Sequence, residues 1–456
     1  MENVFTYIDL FAGIGGFHIA LNSLGGRCVG FSEIDKTATK YYLANHTDVD
    51  ADMNFGDIRG IKYLPPCDVI TAGVPCQSWS IAGKKLGFND SRGKLWDNAI
   101  EALKMARPKA FIFENVKHLY DQKDALNYIL DRIADAGYCS YACLLDASDY
   151  GVPQSRQRMY IIGFNDNKYI NSFVHPKAYD GVCSVGDILD DYSPLPFGSA
   201  STARGMGISV NENGFNDYFL FNDLRGGDTT IHSWELLGLD DKYKNVCDVL
   251  MKNRRKKKYG KLDGNPLSVQ DLQELDSSIT NDDVEHLAGL GILEEIDGKF
   301  DFRNRRISTG IDGINRIILP SSRAFPTLTA SDSKDYVTTT QVYGETIEEY
   351  KSKFINFVYN SKNFRQINKK EALRLQGFPD TFILPDSRSK WMKLVGNAVA
   401  VPVIKAIMES VLKTGALEPP VEVVRPRNFE KVKRFMSEFA SKSISENFYG
   451  KLKVQK

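Results

Sequence analysis

Two side chains that can do chemistry follow two apolar runs of the chain. Cys76 follows Val69 to Ala72 and the short loop Gly73-Val74-Pro75, and Glu114 follows Ala110 to Phe113. Open α/β sheets bind ligands at the carboxyl ends of their strands, so we expect the thiol and the carboxylate to share one crevice. A thiolate is a strong nucleophile when its pKa is lowered, and a carboxyl in a dry crevice can hold or pass a proton. The pair suits attack on an electron-poor ring, and a buried structural cysteine is the alternative.

Basic and polar residues accompany this pair. Gln77 and Ser80 beside the thiol indicate a wet or ligand-filled site, and residues 83–93 form a basic, glycine-hinged stretch that can close over a phosphate backbone. Arg156 and Arg158 precede the run Met159 to Phe164, where strand alternation directs both to the same side. Guanidinium groups suit a carbonyl oxygen or a phosphate. A solvent-exposed connection and surface salt bridges are the alternatives.

A glycine-rich loop, Asp9 to Phe17, joins the first predicted strand to a helix over 18–24. Its glycines let the backbone approach a ligand at a helix start, and Glu33 lies where a ribose-binding carboxylate falls in nucleotide-binding units. His18 stands where a dinucleotide fingerprint needs a third glycine, which favours a nucleoside without a diphosphate. Asp57 can accept from an adenine amine, and Phe11 offers a ring face to a sulfonium. S-adenosylmethionine fits these features; an ordinary tight turn is the alternative.

These residues need a sheet to position them, and the first 164 residues alternate short β-rich runs with helical stretches, which favours a doubly wound α/β fold. Two stretches, 95–106 and 125–136, carry apolar residues at helical spacing. The alternation stops near Asn165 and returns near Asn368, with a helix over 369–376 and a last helix that Leu394 to Val399 opens and that ends near Leu412. The predicted strands are Phe5 to Phe11, Cys28 to Glu33, Asp68 to Ala72, Lys109 to Glu114, Ser140 to Asp146 and Met159 to Phe164.

Length and composition exclude several classes of protein. The 456 residues favour two or three domains, the formal net charge is zero, and we find no apolar run long enough to cross a bilayer and no basic start of a signal peptide. The seven cysteines are scattered and odd in number, so we expect reduced thiols, no disulfides, no metal site and a cytoplasmic location. Any polyanion must then be held by local basic patches rather than by a global field.

Taken together, these blocks resemble the DNA cytosine-5 methyltransferases of bacterial restriction-modification systems. The likeness is ordered and spans nearly the whole catalytic part of that family. It rests on Asp9 to Phe17, Ser32-Glu33, Gly56-Asp57, Gly73 to Ser78, Glu114-Asn115-Val116, Gln154 to Arg158 and Gly396-Asn397.

The resemblance implies a mechanism for each catalytic residue. Cys76 would add to carbon-6 of a cytosine, while Glu114 would hydrogen-bond and protonate ring nitrogen 3 so that carbon-5 becomes nucleophilic. Carbon-5 would then take the methyl group of S-adenosylmethionine, and loss of the ring hydrogen would expel the thiolate. Arg158 would hold the base carbonyl and Arg156 would support the pocket. A base stacked in a duplex cannot offer its ring face to a thiol, so the cytosine must flip out of the helix.

The resemblance also assigns the remaining contacts. Ile34 replaces an aromatic residue and Ala398 a serine found in many relatives. Arg92 would reach a phosphate. The implied cofactor-binding residues are Phe11, Gly13, Ile14, Gly16, Glu33, Ile34, Asp57, Ile58, Pro75, Leu95, Asn397 and Ala398, and the expected DNA-binding residues are Gln77, Ser80, Arg92, Arg255, Lys256 and Lys257.

The implied architecture is a Rossmann-like catalytic domain with an inserted target-recognition domain. We expect the first catalytic part at 1–175, target recognition at 176–364, the second catalytic part at 365–425 and a basic tail at 426–456. In the middle region only Arg323 to Ser331 resembles the family. The basic run Lys252 to Lys261 supplies local positive charge for phosphate contacts, and a solvated face is the alternative.

A second basic cluster is Arg303-Asn304-Arg305-Arg306. Between the two clusters, the stretch 266–302 has two helices, Val269 to Leu275 and Asp282 to Leu290, and a hairpin around Asp297-Gly298, which together give a winged-helix outline. A small DNA-docking subdomain and a spacer packed on the main fold both fit this outline.

The predicted partner is double-stranded DNA, and we expect a monomer with no membrane contact that can be paired with a restriction endonuclease. Three rivals remain at this point. A methyltransferase of the same build acting on transfer RNA is weakened by the long recognition region. A catalytically inactive DNA-binding relative is weakened by the joint presence of Cys76, Glu114 and Arg158. A nicotinamide dehydrogenase is weakened by His18 and leaves Cys76 without a task.

Overall fold

The computed structural model describes residues 5–75, 95–181, 183–192, 201–203, 208–210, 213–304 and 310–418, and a six-stranded sheet lies at its centre. The strands are β1 (Phe5–Leu10), β2 (Gly26–Ser32), β3 (Val69–Gly73), β4 (Ala110–Val116), β5 (Cys139–Asp146), the two-residue β6 (Gln154–Ser155) outside this sheet, and β7 (Gln157–Phe164). The sheet order is β2-β1-β3-β4-β7-β5. Strands β1 to β4 run parallel, and β7 is antiparallel to both neighbours. The predicted, mostly parallel sheet is confirmed.

Side chains alternate between the two faces of the sheet along each strand, and helices cover both faces. Ile8 and Leu10 enter one hydrophobic cluster, and Phe5 and Tyr7 enter the other. Helices α3, α4 and α5 pack on the first face, and α1, α2 and α6 pack on the second. Their bounds are α1 (Gly16–Asn22), α2 (Lys36–Asn45), α3 (Leu95–Ala106), α4 (Lys117–Asp121), α5 (Lys123–Asp135) and α6 (Asn167–Ser172). The doubly wound arrangement is therefore confirmed.

The middle of the chain forms small sheets and helices with hydrophobic cores of their own. A four-stranded sheet has the order β11-β10-β14-β16, and two further clusters of buried residues lie within residues 219–358. The elements are β8 (Ser201–Ala203), β9 (Ile208–Val210), β10 (Tyr218–Phe221), β11 (Thr230–Ile231), α7 (Ser233–Leu236), α8 (Asp241–Asn253), α9 (Val269–Leu275), α10 (Asn281–Gly289), β12 (Leu293–Ile296), β13 (Lys299–Phe302), β14 (Arg316–Ile318), β15 (Phe325–Pro326), β16 (Asp335–Val337) and α11 (Ile347–Phe354), followed by a π-helix (Ile355–Asn360).

The chain then returns to the sheet through α12 (Lys369–Leu375), α13 (Arg388–Asn397) and α14 (Val401–Lys413). The last helix is expected to be continuous from Leu394, and this is wrong, because the chain leaves the helical path between α13 and α14. There Ala398 is extended, with ψ 154°, and presents its carbonyl to another part of the chain. Helix α14 packs against α1 and completes the second face. The unit so formed ends at Leu417.

One expectation about apolar runs is also wrong. The stretch Arg388–Lys413 is long and apolar enough to cross a bilayer, with a mean hydropathy of 1.5 in its most apolar window. In the structure 72% of that window is buried inside the protein. Core helices of globular proteins pass the same test, so the stretch is weak evidence for a membrane span.

An ion pair anchors the middle region from within. Arg254, at the end of α8, donates through Nε and Nη2 to the two carboxylate oxygens of Asp301 on β13, each at 2.8 Å. The two side chains are only 4% and 0% exposed. Arg254 belongs to the basic run that the sequence offers for phosphate contact, and that interpretation is wrong for this residue. A buried, bidentate guanidinium holds β13 against α8 instead.

The pair yields a stability prediction. Asp301→Ala leaves the buried Arg254 charge without its acceptors, which should cost about 3–5 kcal/mol. Hydrogen exchange of the amides in α8, α9 and α10 measures this loss locally. The double variant Arg254→Met with Asp301→Leu removes both charges and should regain most of the protection. Equal deprotection in the single and double variants would contradict the assignment.

Candidate active site

A cavity of about 450 Å³ opens at the carboxyl ends of β1, β2, β3 and β4. Strand β1 lies between β2 and β3, so the chain reverses its direction of travel across the sheet at this point, where open α/β sheets bind ligands. The structure brings all the predicted cofactor-binding residues to this one cavity, together with Glu114, Arg156 and Arg158. The lining includes Phe11, Gly13, Ile14, Gly16, Glu33, Ile34, Asp57, Ile58, Pro75, Leu95, Asn397 and Ala398.

The glycine-rich loop wraps one end of the cavity. Phe11 and Gly13 both have left-handed backbones, with φ of 54° and 58°. Gly15 has φ 89°, and a Cβ there would lie 2.1 Å from Nε2 of His46. The loop therefore needs glycine at position 15 for its conformation and for the close approach of a ring behind it.

Glu33 is fixed at the end of β2 by backbone donors. Its Oε2 accepts from Gly13 N at 2.8 Å, and its Oε1 accepts from Asp35 N at 2.7 Å. A carboxylate has about four acceptor positions, so each oxygen retains capacity toward the cavity. Glu33 can therefore receive two neighbouring hydroxyls while its orientation is held by the loop.

Ile34 and Asp57 flank the same end of the cavity. Ile34 is 68% exposed and offers an apolar face to a ring. Asp57 accepts from Arg59 through both the backbone N and the guanidinium Nε, at 3.0 Å and 2.9 Å. The Arg59 guanidinium beside Asp57 holds the pKa of that carboxyl below its usual range. An adenine amine at Asp57 would share the carboxylate with Arg59.

At the other end of the cavity Glu114 meets Arg158. Arg158 Nε lies 3.1 Å from Glu114 Oε1, and the side chains are only 16% and 11% exposed. The antiparallel pairing of β4 with β7 places Arg158 opposite Val116, which brings the two side chains to the same edge. Arg158 also donates from Nη1 to Gln157 O at 2.8 Å. A guanidinium has five N–H donors, so it has donors left for a carbonyl in the cavity.

Asn115, beside Glu114, reaches back to the loop after β3. Its Nδ2 donates to Val74 O at 2.9 Å, and its Oδ1 accepts from Val116 N. The side chain is buried. Asn115 thereby fixes the backbone two residues before Cys76. Cys76 itself lies outside the described residues, as do Gln77, Ser80 and Arg92 and the tail at 426–456.

The other cysteines have environments that oppose nucleophilic chemistry. Burial raises the pKa of Cys28, Cys67 and Cys143 to about 12 in each case. Burial raises that of Cys183 to about 11. Since the thiolate is the reactive form, these four side chains stay protonated and inert near neutral pH.

Arg156 is buried, and its guanidinium donates hydrogen bonds to backbone carbonyls. Nη1 donates to Leu328 O at 2.9 Å, and Nη2 donates to Gly396 O at 3.2 Å and to Ala398 O at 2.7 Å. The carbonyl of Leu328 belongs to the segment after β15, that of Gly396 to the last turn of α13, and that of Ala398 to the link between α13 and α14. Arg156 therefore joins the cavity wall to two distant parts of the chain.

Among the predicted DNA contacts, Arg255, Lys256 and Lys257 are exposed at the end of α8, and they do not line the cavity. Arg255 Nε lies 3.3 Å from Asp263 Oδ1, and both side chains are more than half exposed. A pair so exposed contributes little to stability, which leaves the arginine available to a phosphate.

The sequence gives no sign of a histidine pair behind the glycine loop. His46 Nε2 lies 3.1 Å from Ile14 O, and its ring lies against that of His18, with centroids 4.0 Å apart and planes tilted by 30°. His18 also contacts Tyr42 OH at 2.9 Å and Asp48 Oδ1 at 3.0 Å. Burial, reinforced by His18, lowers the pKa of His46 to about 4. A neutral His46 that donates to Ile14 O ties the loop to the end of α2.

The chain is similar to known proteins over most of its length. A family model described as C-5 cytosine-specific DNA methylase matches residues 5–413. Type II methyltransferase M.HgiBI of Herpetosiphon aurantiacus is 42% identical over 417 residues, which cover 88% of this chain and 95% of the relative. Type II methyltransferase M.HgiCII of the same organism is 41% identical over 429 residues, which cover 91% of this chain and 98% of the relative. The solved structure of the Entamoeba histolytica methyltransferase EhMeth covers 89% of this chain and 97% of its own, with 14% identity and a TM-score of 0.49.

The histidine pair predicts an acid-dependent loss of stability. An unfolded histidine takes up its proton near pH 6.5, but His46 stays neutral down to about pH 4, so the unfolded state binds more protons between these values. His46 thus contributes about 2 kcal/mol to the stability that is lost as the pH falls from 7.5 to 5, and His232, whose pKa burial also lowers to about 4, acts in the same direction and is present in both proteins compared below. Urea titrations at the two pH values measure the free energy of unfolding.

The matched variant His46→Gln keeps a donor for Ile14 O and cannot titrate. Its stability should depend less steeply on pH than that of the unmodified protein. Burial raises the pKa of Asp9 and so acts in the opposite direction, but Asp9 is present in both proteins and cancels in their difference. The same pH dependence in both proteins would rule out His46 as the source.

Proposed function

The chain belongs to the C-5 cytosine-specific DNA methylases, and on that premise we propose that it transfers a methyl group from S-adenosylmethionine to carbon-5 of a flipped-out cytosine through a covalent Cys76 adduct. The enzyme is a DNA cytosine-5 methyltransferase, so a methyl donor and DNA are its substrates. The finer parts of the proposal are the identity of the donor, the adduct and the roles of single residues.

One observation carries the proposal. A single cavity joins the glycine loop and Glu33, which suit a nucleoside, to the Glu114 and Arg158 pair, which suits a polar base edge. The chain leaves this cavity at Pro75, directly before Cys76. A donor at one end and a base at the other would then lie beside each other, within reach of one thiol.

The residues supply each step of the reaction. The Cys76 sulfur forms a bond to carbon-6 as Glu114 protonates ring nitrogen 3, which moves electron density to carbon-5. Arg158 orients Glu114 and holds the base carbonyl with its remaining donors. Carbon-5 takes the methyl group as the S–CH₃ bond of the sulfonium breaks, and the donor leaves as a neutral thioether. A base removes the carbon-5 hydrogen as a proton, and the electrons of that C–H bond restore the ring double bond and expel the thiolate. Glu114 takes back the proton from ring nitrogen 3, so the thiolate, Glu114 and the ring end as they began, apart from the new methyl group.

The cavity suits S-adenosylmethionine by the chemistry of its walls. The free acceptor positions of Glu33 suit a ribose diol, the exposed face of Ile34 suits an adenine ring, and Phe11 can face a sulfonium. When bound there, the group supplies an electrophilic methyl. Asp57, engaged by Arg59, would contact the adenine amine only by sharing its carboxylate.

Arg156 is best explained as a positioning residue. Its guanidinium is directed to the carbonyls of Leu328, Gly396 and Ala398. Asn397, between two of these carbonyls, lines the cavity, so Arg156 would place it for the donor.

We assign target recognition to residues 176–364, and the surrounding segments at 1–175 and 365–425 to catalysis. The exposed Arg255, Lys256 and Lys257 would contact phosphates of double-stranded DNA, with Gln77, Ser80 and Arg92 approaching the flipped base and its strand. The names of the relatives as type II methyltransferases support a restriction-modification role, with a paired endonuclease. A cytoplasmic location belongs to the same proposal.

The function is tested by methyl incorporation. Purified protein with labelled S-adenosylmethionine should label duplex DNA and leave transfer RNA unlabelled. Bisulfite sequencing of DNA from expressing cells should place the methyl groups on cytosines of one sequence. Labelling of transfer RNA alone would overturn the proposal.

The adduct is tested at the thiol. Cys76→Ser should abolish methyl transfer and also the covalent complex that the unmodified enzyme forms with 5-fluorocytosine DNA, because a serine hydroxyl is a far weaker nucleophile. Glu114→Gln should lower turnover by roughly 10²–10⁴-fold. Cys183→Ser changes a half-buried thiol outside the cavity and should leave turnover intact. Turnover by Cys76→Ser would exclude the adduct.

Asn115 is predicted to act through the Cys76 loop. Asn115→Ala removes the donor to Val74 O, so kcat should fall by roughly 10- to 100-fold through misplacement of the thiol. The donor's dissociation constant, measured by calorimetry, should stay within about twofold. Asn363→Ala, which removes a similar bond to Phe357 O on the surface, is the matched control. A rise in the dissociation constant with unchanged kcat would contradict this role.

A further inference from the structure

The segment 241–303, called here the winged segment, has the complete element order of a winged helix. Helix α8 is followed by Leu267, which bridges antiparallel to Phe300, then by α9, α10 and the hairpin β12–β13. The hairpin turns at Asp297 and Gly298, which have φ of 50° and 74°. A core of buried residues joins its parts: Val246, Leu250, Leu272, Val284, Leu287, Leu293 and Phe302.

In DNA-binding helix-turn-helix proteins the second helix of the motif enters the major groove. That helix is α10 here, and its charge opposes this position. Asp282 and Glu285 are exposed on it, and Glu274 is exposed on α9. Neither α9 nor α10 contains a lysine or an arginine. Phosphates recur roughly every 3.4 Å along each strand, so α10 in the groove would bring like charges together.

The positive charge lies on another part of the winged segment. The connection between α8 and Leu267 carries Arg255, Lys256, Lys257, Lys258 and Lys261, all exposed. This stretch, residues 255–264, is called the basic loop below. Its only acidic residue is Asp263, which pairs with Arg255.

Hydrogen bonds of Asn265 and the close packing of Gly264 against Arg254 fix the conformation of the basic loop. Asn265 donates from its backbone N to Arg254 O at 2.8 Å and from Nδ2 to Leu262 O at 3.0 Å, and its Oδ1 accepts from Leu262 N. Arg254 is fixed in turn by Asp301. Gly264 has φ 120°, and a Cβ there would meet the Arg254 guanidinium at 2.4 Å. A loop built this way presents its lysines with little ordering left to do on binding.

We infer that the winged segment binds the sugar-phosphate backbone of DNA through the basic loop, with α10 turned away from the duplex. This deepens the proposed function and rests on it, because DNA is the polyanion that the enzyme must hold. The winged helix then serves as a scaffold for the loop between its first helix and first strand, and its usual reading helix stays free of the groove.

The experiment compares two sets of variants of the full-length protein. Fluorescence anisotropy with a duplex containing the methylated sequence gives the dissociation constant between 50 and 300 mM salt. Lys256→Ala, Lys257→Ala and Lys258→Ala combined should lower the salt slope by about 2 to 3 units, since each phosphate contact contributes about 0.9. The combination Asp282→Lys with Glu285→Lys should leave the slope unchanged and the dissociation constant within about twofold.

Two outcomes overturn the inference. The first is an unchanged salt slope in the triple alanine protein, when circular dichroism shows it folded. The second is an effect at α10: a steeper slope in the lysine variants, or a changed target sequence in Asp282→Asn with Glu285→Gln, since carboxylates can accept from cytosine N4.

Methyl transfer to DNA at low salt separates this inference from the proposed function. If the unmodified protein transfers no methyl group to DNA, the proposed function fails. If it does, and the salt slopes contradict the prediction, only the assignment of the basic loop fails.

Discussion

The buried guanidinium of Arg156 joins three parts of the chain that lie far apart in sequence. It extends from the entry of β7 to Leu328 O and to the carbonyls of Gly396 and Ala398. A buried guanidinium needs polar acceptors for its donors, and these carbonyls accept from both Nη1 and Nη2. Without Arg156 these carbonyls would lack this donor, at a helix end and in a loop. The guanidinium therefore needs the carbonyls, and the carbonyls need the guanidinium.

The contacts around Arg156 show how closely these segments approach. Gln154 donates to Leu375 O and accepts from Leu328 N, and β6 pairs with β15. A Cβ on Gly396 would lie 2.3 Å from the backbone of Thr329, so the last turn of α13 fits here only without a side chain at this position. The segment after β15 thus bears directly on the wall of the cavity. Any movement of the middle region on DNA would therefore displace the wall of the cavity at Asn397.

The parts of this structure that the sequence predicts are those with local signals. The alternation of β1 to β7 and the helical spacing of α3 and α5 depend on residues within a few positions of each other, and the strands and helices occur where they are expected. The glycine loop and Glu33 were also recognisable, because turn geometry restricts the residue types at such positions. Helices α9 and α10 and the hairpin β12–β13 carry capping and turn residues that mark their ends.

The missed features depend on partners distant in sequence. In the sequence nothing distinguishes Arg254 from the other basic residues of its run. Its partner Asp301 lies 47 residues later, and only the fold brings the two together. His46 lies 32 residues from the carbonyl it contacts, with no motif to connect them. The break between α13 and α14 lies just before Pro402, which cannot donate to Ala398 O, and that this carbonyl accepts from Arg156 instead is a contact that helical spacing does not reveal. Periodicity predicts elements, but the use of a polar side chain is decided by what the fold places opposite it.

Net neutrality has a consequence for how this enzyme holds a polyanion. With 58 basic and 58 acidic side chains, no long-range field draws DNA toward the protein as a whole. Attraction must come from places where the signs are separated, and screening limits each place to about 8–10 Å at physiological salt. Within the winged segment, α9 and α10 carry acids and neither lysine nor arginine, and the basic loop carries four lysines and one arginine beside a single acid, Asp263. Separation over so short a distance orients a duplex as well as attracting it, because a rotated approach would present the acidic helices to the phosphates.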